Sequence, residues 1–172
     1  MTIRTYGSLL LVFIALSTAS RADPPAINTA LIEKAQYLLN QCAAAPKKMD
    51  QALTFIKDEI TYHTKLPLAT DPDWIPKPLM NEKLSLSYDN VVTSRKGIDL
   101  DCQSALYITA LVSTLQTGGT ITADDSTLIE GTATRLSSDM EGWKHDYTVF
   151  WQVLHETMQQ YRENTSTEAK PQ

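Results

Sequence analysis

The stretch GIDLDCQSALYITAL, Gly97 to Leu111, decides how the rest of the chain is read. It holds Cys102, one of only two cysteines, at the edge of a run of leucine, isoleucine and alanine. Leu100, Ala105, Leu106, Ile108, Leu111, Val112 and Leu115 cover almost a full helical circumference. That pattern predicts a helix over about 101–116, central and buried, stopped by Gly118-Gly119. Cys102 then opens the helix, and its sulfur is either a nucleophile or half of a disulfide with Cys42.

Upstream, Leu31, Ala35, Leu38 and Cys42 mark one face of a helix that starts near Ala26. Pro46 suits the first position of a second helix, in which Met49, Leu53, Ile56 and Ile60 repeat the spacing up to His63. The short junction predicts an antiparallel hairpin of these two helices. A long proline-rich loop follows, about 64–97, with prolines at 67, 72, 76 and 78. Leu84, Leu86 and Tyr88 alternate with polar residues there, which fits one short strand. Trp74 and Ile75 lie between prolines. They are candidate partner-binding residues if exposed, and loop anchors if buried.

Downstream, a fourth helix is expected over roughly 124–138, with Leu128, Leu136 and Met140 towards the core. Thr127, Gly131, Thr134 and Ser138 form a strip of small side chains on it. A fifth helix, about 144–162, carries Tyr147, Phe150, Trp151, Leu154, Met158 and Tyr161 as a broad apolar stripe. The expected fold is all-α, about five helices around the central one, as a single domain over 23–163. The polar end, 164–172, reads as a disordered tail.

The N-terminus sets the compartment. Arg4 precedes the apolar run LLLVFIAL, and small residues lead to Ala22, which reads as a signal peptide over 1–22. The apolar core is shorter than the roughly 20 residues a spanning helix needs. The mature chain is therefore expected in the periplasm or secreted, with no membrane insertion after cleavage. Loss of Arg4 and Arg21 takes the formal charge from −5 to −7. That sign disfavours nucleic acid and anionic membrane surfaces as partners.

Two chemistries compete for Cys102. A thiol in the first turn of a helix is activated by the helix dipole. The segment DQALTFIKDEITYH, a long loop, a glycine and then a cysteine opening a buried helix resembles the transglutaminase-like and papain-like core over roughly residues 50–119. That resemblance implies a cysteine hydrolase with Cys102 as nucleophile and His145, forty-three residues on, as base. Against it, the segment after His145 is helical by its spacing, and the flanking Asp99 and Asp101 oppose a thiolate. The alternative is a Cys42–Cys102 disulfide, the simplest use of one cysteine pair in an exported chain. The histidines are scattered and no CxxC, HExxH, EF-hand or glycine-rich phosphate motif is present, so no metal or cofactor is implied. The reading favoured by the sequence is an exported non-enzymatic helical protein that binds another protein. An inhibitor or immunity protein, a chaperone-like factor and an envelope-assembly accessory are all consistent with it.

Overall fold

A computed structural model describes residues 26–68 and 74–168. The expected signal peptide over 1–22 lies outside the described residues, as do Pro72 and residues 169–172. The elements are α1 (Ala26–Thr64), a single 3₁₀ turn (Lys77–Leu79), α2 (Glu82–Cys102), α3 (Ala105–Gln116) and α4 (Ala123–Glu168). Among the described residues the fold is all-α, as expected, but its helices are fewer and longer.

The first correction is α1. It runs unbroken through Pro46, so the predicted hairpin is a single helix of 39 residues, about 58 Å long. Pro46 offers no N–H to the carbonyl of Cys42. The helix survives because its apolar seam does not change phase there. Leu31, Ala35, Leu38, Ala45, Met49, Ile56 and Ile60 are all buried, at steps of three, four or their sums. The alanines at 43–45 also favour helix strongly.

The second correction is α2, which replaces the second half of the predicted loop, about 82–97, and its strand. Asn81 caps it, with the Leu84 amide donating to Asn81 Oδ1 at 2.9 Å. Leu84, Ser87, Val91, Ile98 and Asp101 are its buried residues, a helical series. Leu86, which the alternating pattern placed beside Leu84, is 62% exposed. Among the described residues, 65–68 and 74–81 lie outside the α-helices, with the 3₁₀ turn inside the second stretch. Cys102 ends α2 rather than opening a central helix, and Gln103-Ser104 make the turn into α3. In α3 only one face is buried, through Ile108, Leu111, Val112 and Leu115. It is amphipathic, not a fully enclosed core helix.

The third correction is α4, which joins the predicted fourth and fifth helices and continues to Glu168, into the segment expected to be disordered. Ile129, Leu136, Phe150, Leu154 and Met158 are buried along it. Gly131 and Gly142 each cost about 1 kcal/mol relative to alanine, and that packing outweighs them. Thr122 and Asp125 cap its start reciprocally. The Asp125 amide donates to Thr122 Oγ1 at 3.1 Å, and the Thr122 amide to Asp125 Oδ2 at 3.1 Å.

Cross-links give the register. Lys34 meets Glu130 at 3.0 Å, and Tyr147 Oη donates to the Ala52 carbonyl at 3.3 Å, so α1 and α4 run parallel. Lys83 meets Glu156 at 3.0 Å, and Arg135 meets Asp101 at 3.1 Å, so α2 runs antiparallel to α4. The core lies where α4 packs on both α1 and α2, while α3 packs on α1. Gly97 permits close approach of α2 and α4, because a Cβ there would stand 2.6 Å from Asp139 Oδ2.

Cys42 and Cys102 form a disulfide, with their Cα atoms 5.4 Å apart. It closes a loop of sixty residues and ties the middle of α1 to the end of α2. In the chain-entropy account such a closure contributes about 4 kcal/mol. Replacing both cysteines by serine should lower stability by about that amount in urea unfolding, and a thiol titration of the unfolded, unreduced protein should find no free thiol.

Candidate functional site

The corner where α2 turns into α3 is built around Cys102. Leu100 sits in the last turn of α2, and Leu106 and Tyr107 in the first turn of α3. They are 63%, 86% and 51% exposed. Their helical neighbours Ile98 and Ile108 are fully buried, so the corner's outer residues are exposed by helix phase, not by lack of order.

Three interactions hold it. The disulfide fixes Cys102 to α1. Arg135 Nε on α4 donates to Asp101 Oδ1 at 3.1 Å, and Arg135 Nη2 donates to Thr132 Oγ1 at 3.1 Å. Asp101 is buried, and its other carboxylate oxygen has no hydrogen-bond partner among the described residues. Tyr107 Oη donates to Asp125 Oδ1 at 2.5 Å, linking α3 to the cap of α4. The Tyr107 hydroxyl, and then the Thr122 hydroxyl and amide, hold the Asp125 carboxyl below its ordinary range. The same hydrogen bond raises the Tyr107 hydroxyl above its ordinary value.

The sequence-derived candidates fall elsewhere. Cys102 has its sulfur bonded to Cys42, and no cysteine is free. It also stands at a helix C-terminus, where the dipole disfavours thiolate. His145 is exposed on α4, with no strand to carry it among the described residues. The cysteine-hydrolase geometry of Cys102 and His145 is therefore not assembled. Trp74 and Ile75 are 3% and 2% exposed, so neither side chain is presented to a partner. Trp74 Nε1 donates to Tyr88 Oη at 2.8 Å, and its ring meets those of Tyr88 and Phe150 edge-on. The pair anchors the proline-rich segment to α2 and α4.

Among the described residues no three His, Cys, Asp or Glu side chains are grouped to hold a metal ion, and no helix is long and apolar enough to cross a membrane. Leu100, Leu106 and Tyr107 were missed as surface residues because they were assigned to one continuous buried helix. The break at Gln103-Ser104 shifts their phase, and the pair of polar residues was its only mark in the sequence. Comparison with known proteins finds no matching family model, no similar curated protein and no similar solved structure, so function is read from this geometry.

Two measurements test the anchors. Trp74→Ala should cost roughly 3–5 kcal/mol in equilibrium unfolding, as large aromatic truncations in cores do. The Tyr107–Asp125 link should give a pH signature. A depressed carboxyl contributes stability above the ordinary carboxylate value of 3.8 and loses it as pH falls through the folded value. A raised phenol contributes fully below 10.0 and loses its contribution as pH rises through the folded value. The Tm deficit of Asp125→Asn should therefore be constant from about pH 5 to pH 9 and shrink at both extremes.

Proposed function

We propose that this chain is an exported, non-enzymatic binding protein whose α2–α3 corner engages another protein. One observation carries the reading. Three large apolar side chains, Leu100, Leu106 and Tyr107, are held in solvent at a turn tied by a disulfide, an ion pair and a phenol hydrogen bond. Hot spots of interfaces are large apolar or aromatic side chains that need little ordering on binding. A corner fixed by a disulfide, an ion pair and a phenol hydrogen bond meets that condition before the partner arrives.

Charge narrows the partner. Asp99, exposed on α2 and 4.0 Å from Arg95, directly precedes Leu100, and Asp125, which follows the exposed Asp124 at the start of α4, bonds to Tyr107 itself. The complementary surface is an apolar groove with a basic rim, on a protein in the same compartment. Acidic rims act mainly on association rate and selectivity, so capture should weaken as salt rises. A disulfide-braced chain suits an oxidising compartment, which supports export to the periplasm or beyond. An immunity or inhibitor protein and an envelope-assembly factor both act by occluding or organising a partner in this way.

The test compares wild type with Leu106→Glu, a change at an 86% exposed position. Its stability should stay within about 0.5 kcal/mol of wild type. A partner cross-linked in native envelope extract by the wild type should be lost with the variant, by at least about tenfold in affinity. Equal capture by both proteins, or no capture by either, overturns the assignment.

A further inference from the structure

The solvent face of α1, opposite its core seam, carries a shallow trough lined by side chains of this one helix. Ala43, Pro46 and Thr54 are short, while Lys47 and Phe55 stand beside them. Large apolar groups of a surface helix ordinarily turn to the core. Here Phe55 is 51% exposed, and the Trp151 ring on α4, 5.5 Å away between centroids, holds it in place. From Ala43 to Asp58 the trough is roughly 22 Å long.

The lining is complementary to itself. Turned end over end about the midpoint between Asp50 and Gln51, the face sets each residue opposite a fixed counterpart. Gln51 then meets Asp50, Thr54 meets Lys47, Phe55 meets Pro46, and Asp58 meets Ala43. Even spacing belongs to any helix face, but matched chemistry does not. The Phe55 ring has the short Ala43 and Pro46 side chains to lie on, a ridge over a hollow. The Gln51 amide is a donor for the Asp50 carboxylate. Lys47 reaches Asp58, one helical turn beyond Thr54, and neither charge has an ion-pair partner among the described residues. Each contact occurs twice, as a two-fold interface requires.

Charge selects the occupant. The chain is acidic, with a formal charge of −5, so two copies repel in most orientations. This face is balanced instead. Asp50 is paired with Arg95 of α2 at 2.7 Å, and Lys47 offsets Asp58. A basic partner would oppose Lys47, and an acidic one would oppose Asp58.

We infer that α1 pairs with α1 of a second copy of this chain, antiparallel and two-fold, through the trough from Ala43 to Asp58. A single helix face is small beside the roughly 800 Å² per partner of a standard interface, so the dimer is a weak one. The contact uses no residue of the α2–α3 corner, and neither proposal depends on the other.

The experiment is sedimentation equilibrium of the disulfide-bonded chain from about 10 μM to about 1 mM, at ionic strengths of about 0.05 M and 0.5 M. The expected result is a monomer–dimer equilibrium with Kd on the order of 0.1 mM at the lower ionic strength, weakened at least about threefold at the higher. Lys47→Glu and Asp58→Lys lie at exposed positions, so both variants should fold as the wild type does. Each alone should weaken the dimer at least about tenfold, because like charges then meet at two symmetric places. The double variant Lys47→Glu/Asp58→Lys should return to within about threefold of wild type. Leu106→Glu should leave the dimer intact. A chain that stays monomeric throughout overturns the interface, as does a dimer indifferent to either single reversal. Failure of the double variant to restore pairing overturns it too, and so does a dimer lost in Leu106→Glu, which would place the contact at the corner.

Discussion

The disulfide between Cys42 and Cys102 is the constraint on which the arrangement rests. α1 and α2 touch each other far less than either touches α4. Without the covalent tie their relative position would depend almost wholly on α4 as a common support. The tie also stands one helical turn before Pro46, where the α1 ladder lacks a hydrogen bond. A cross-link at that turn restrains bending where the backbone is weakest. Because Cys102 is the last residue of α2, the same bond fixes the direction in which the chain leaves that helix, and so the placement of α3.

Packing around this tie follows one rule, that an apolar seam continues in phase whatever local breakers it meets. In α1 the seam passes Pro46 without a shift, from Cys42 to Ala45 to Met49. In α4 it passes Gly142 from Met140 to Trp143 to Tyr147. Both helices were legible in the sequence as pairs of helices, with the right face in α1 and in the second half of α4; in the first half of α4 the core takes Ile129 where the pattern put Leu128. What was not legible was their fusion, because proline and glycine were weighed as local signals while the phase of the whole stripe was not. Burial of several large side chains at roughly 1.5–3 kcal/mol each exceeds the cost of one lost hydrogen bond or one glycine. Phase continuity is therefore the stronger evidence wherever the two disagree.

The same reasoning explains the middle of the chain. Leu84, Leu86 and Tyr88 satisfy a period of two, but Leu84, Ser87, Val91 and Ile98 satisfy the helical period over a longer range. Asn81 followed by Glu82 is the start signal of that helix, and the prolines at 76 and 78 end just before it. The cysteine pairing was legible because export, an even count and apolar positions all favoured it. The position of Cys102 was not. Assigned to the start of a helix, it invited a catalytic role; at the end of α2, bonded to α1, it organises a surface instead. Trp74 shows the converse, since flanking prolines suggest exposure while an indole N–H bonded to the Tyr88 hydroxyl at 2.8 Å marks it as an anchor.

These placements divide the molecule by what each part of α4 supports. Its first turns, through Asp125 and Arg135, brace the α2–α3 corner. Its middle third lines a cleft of about 310 Å³ with α1 and also carries Phe150, which packs with Trp74 and Tyr88 in an aromatic cluster. Rigidity at the corner and an unfilled seam in the middle are not contradictory within one helix. The Lys34–Glu130 bridge and the Tyr147–Ala52 hydrogen bond bound that seam on either side, and Ala45 and Ser137 within it are too small to fill it. The bulk of the packed core side chains sets the interhelical spacing, and side-chain size at the seam decides whether a space remains.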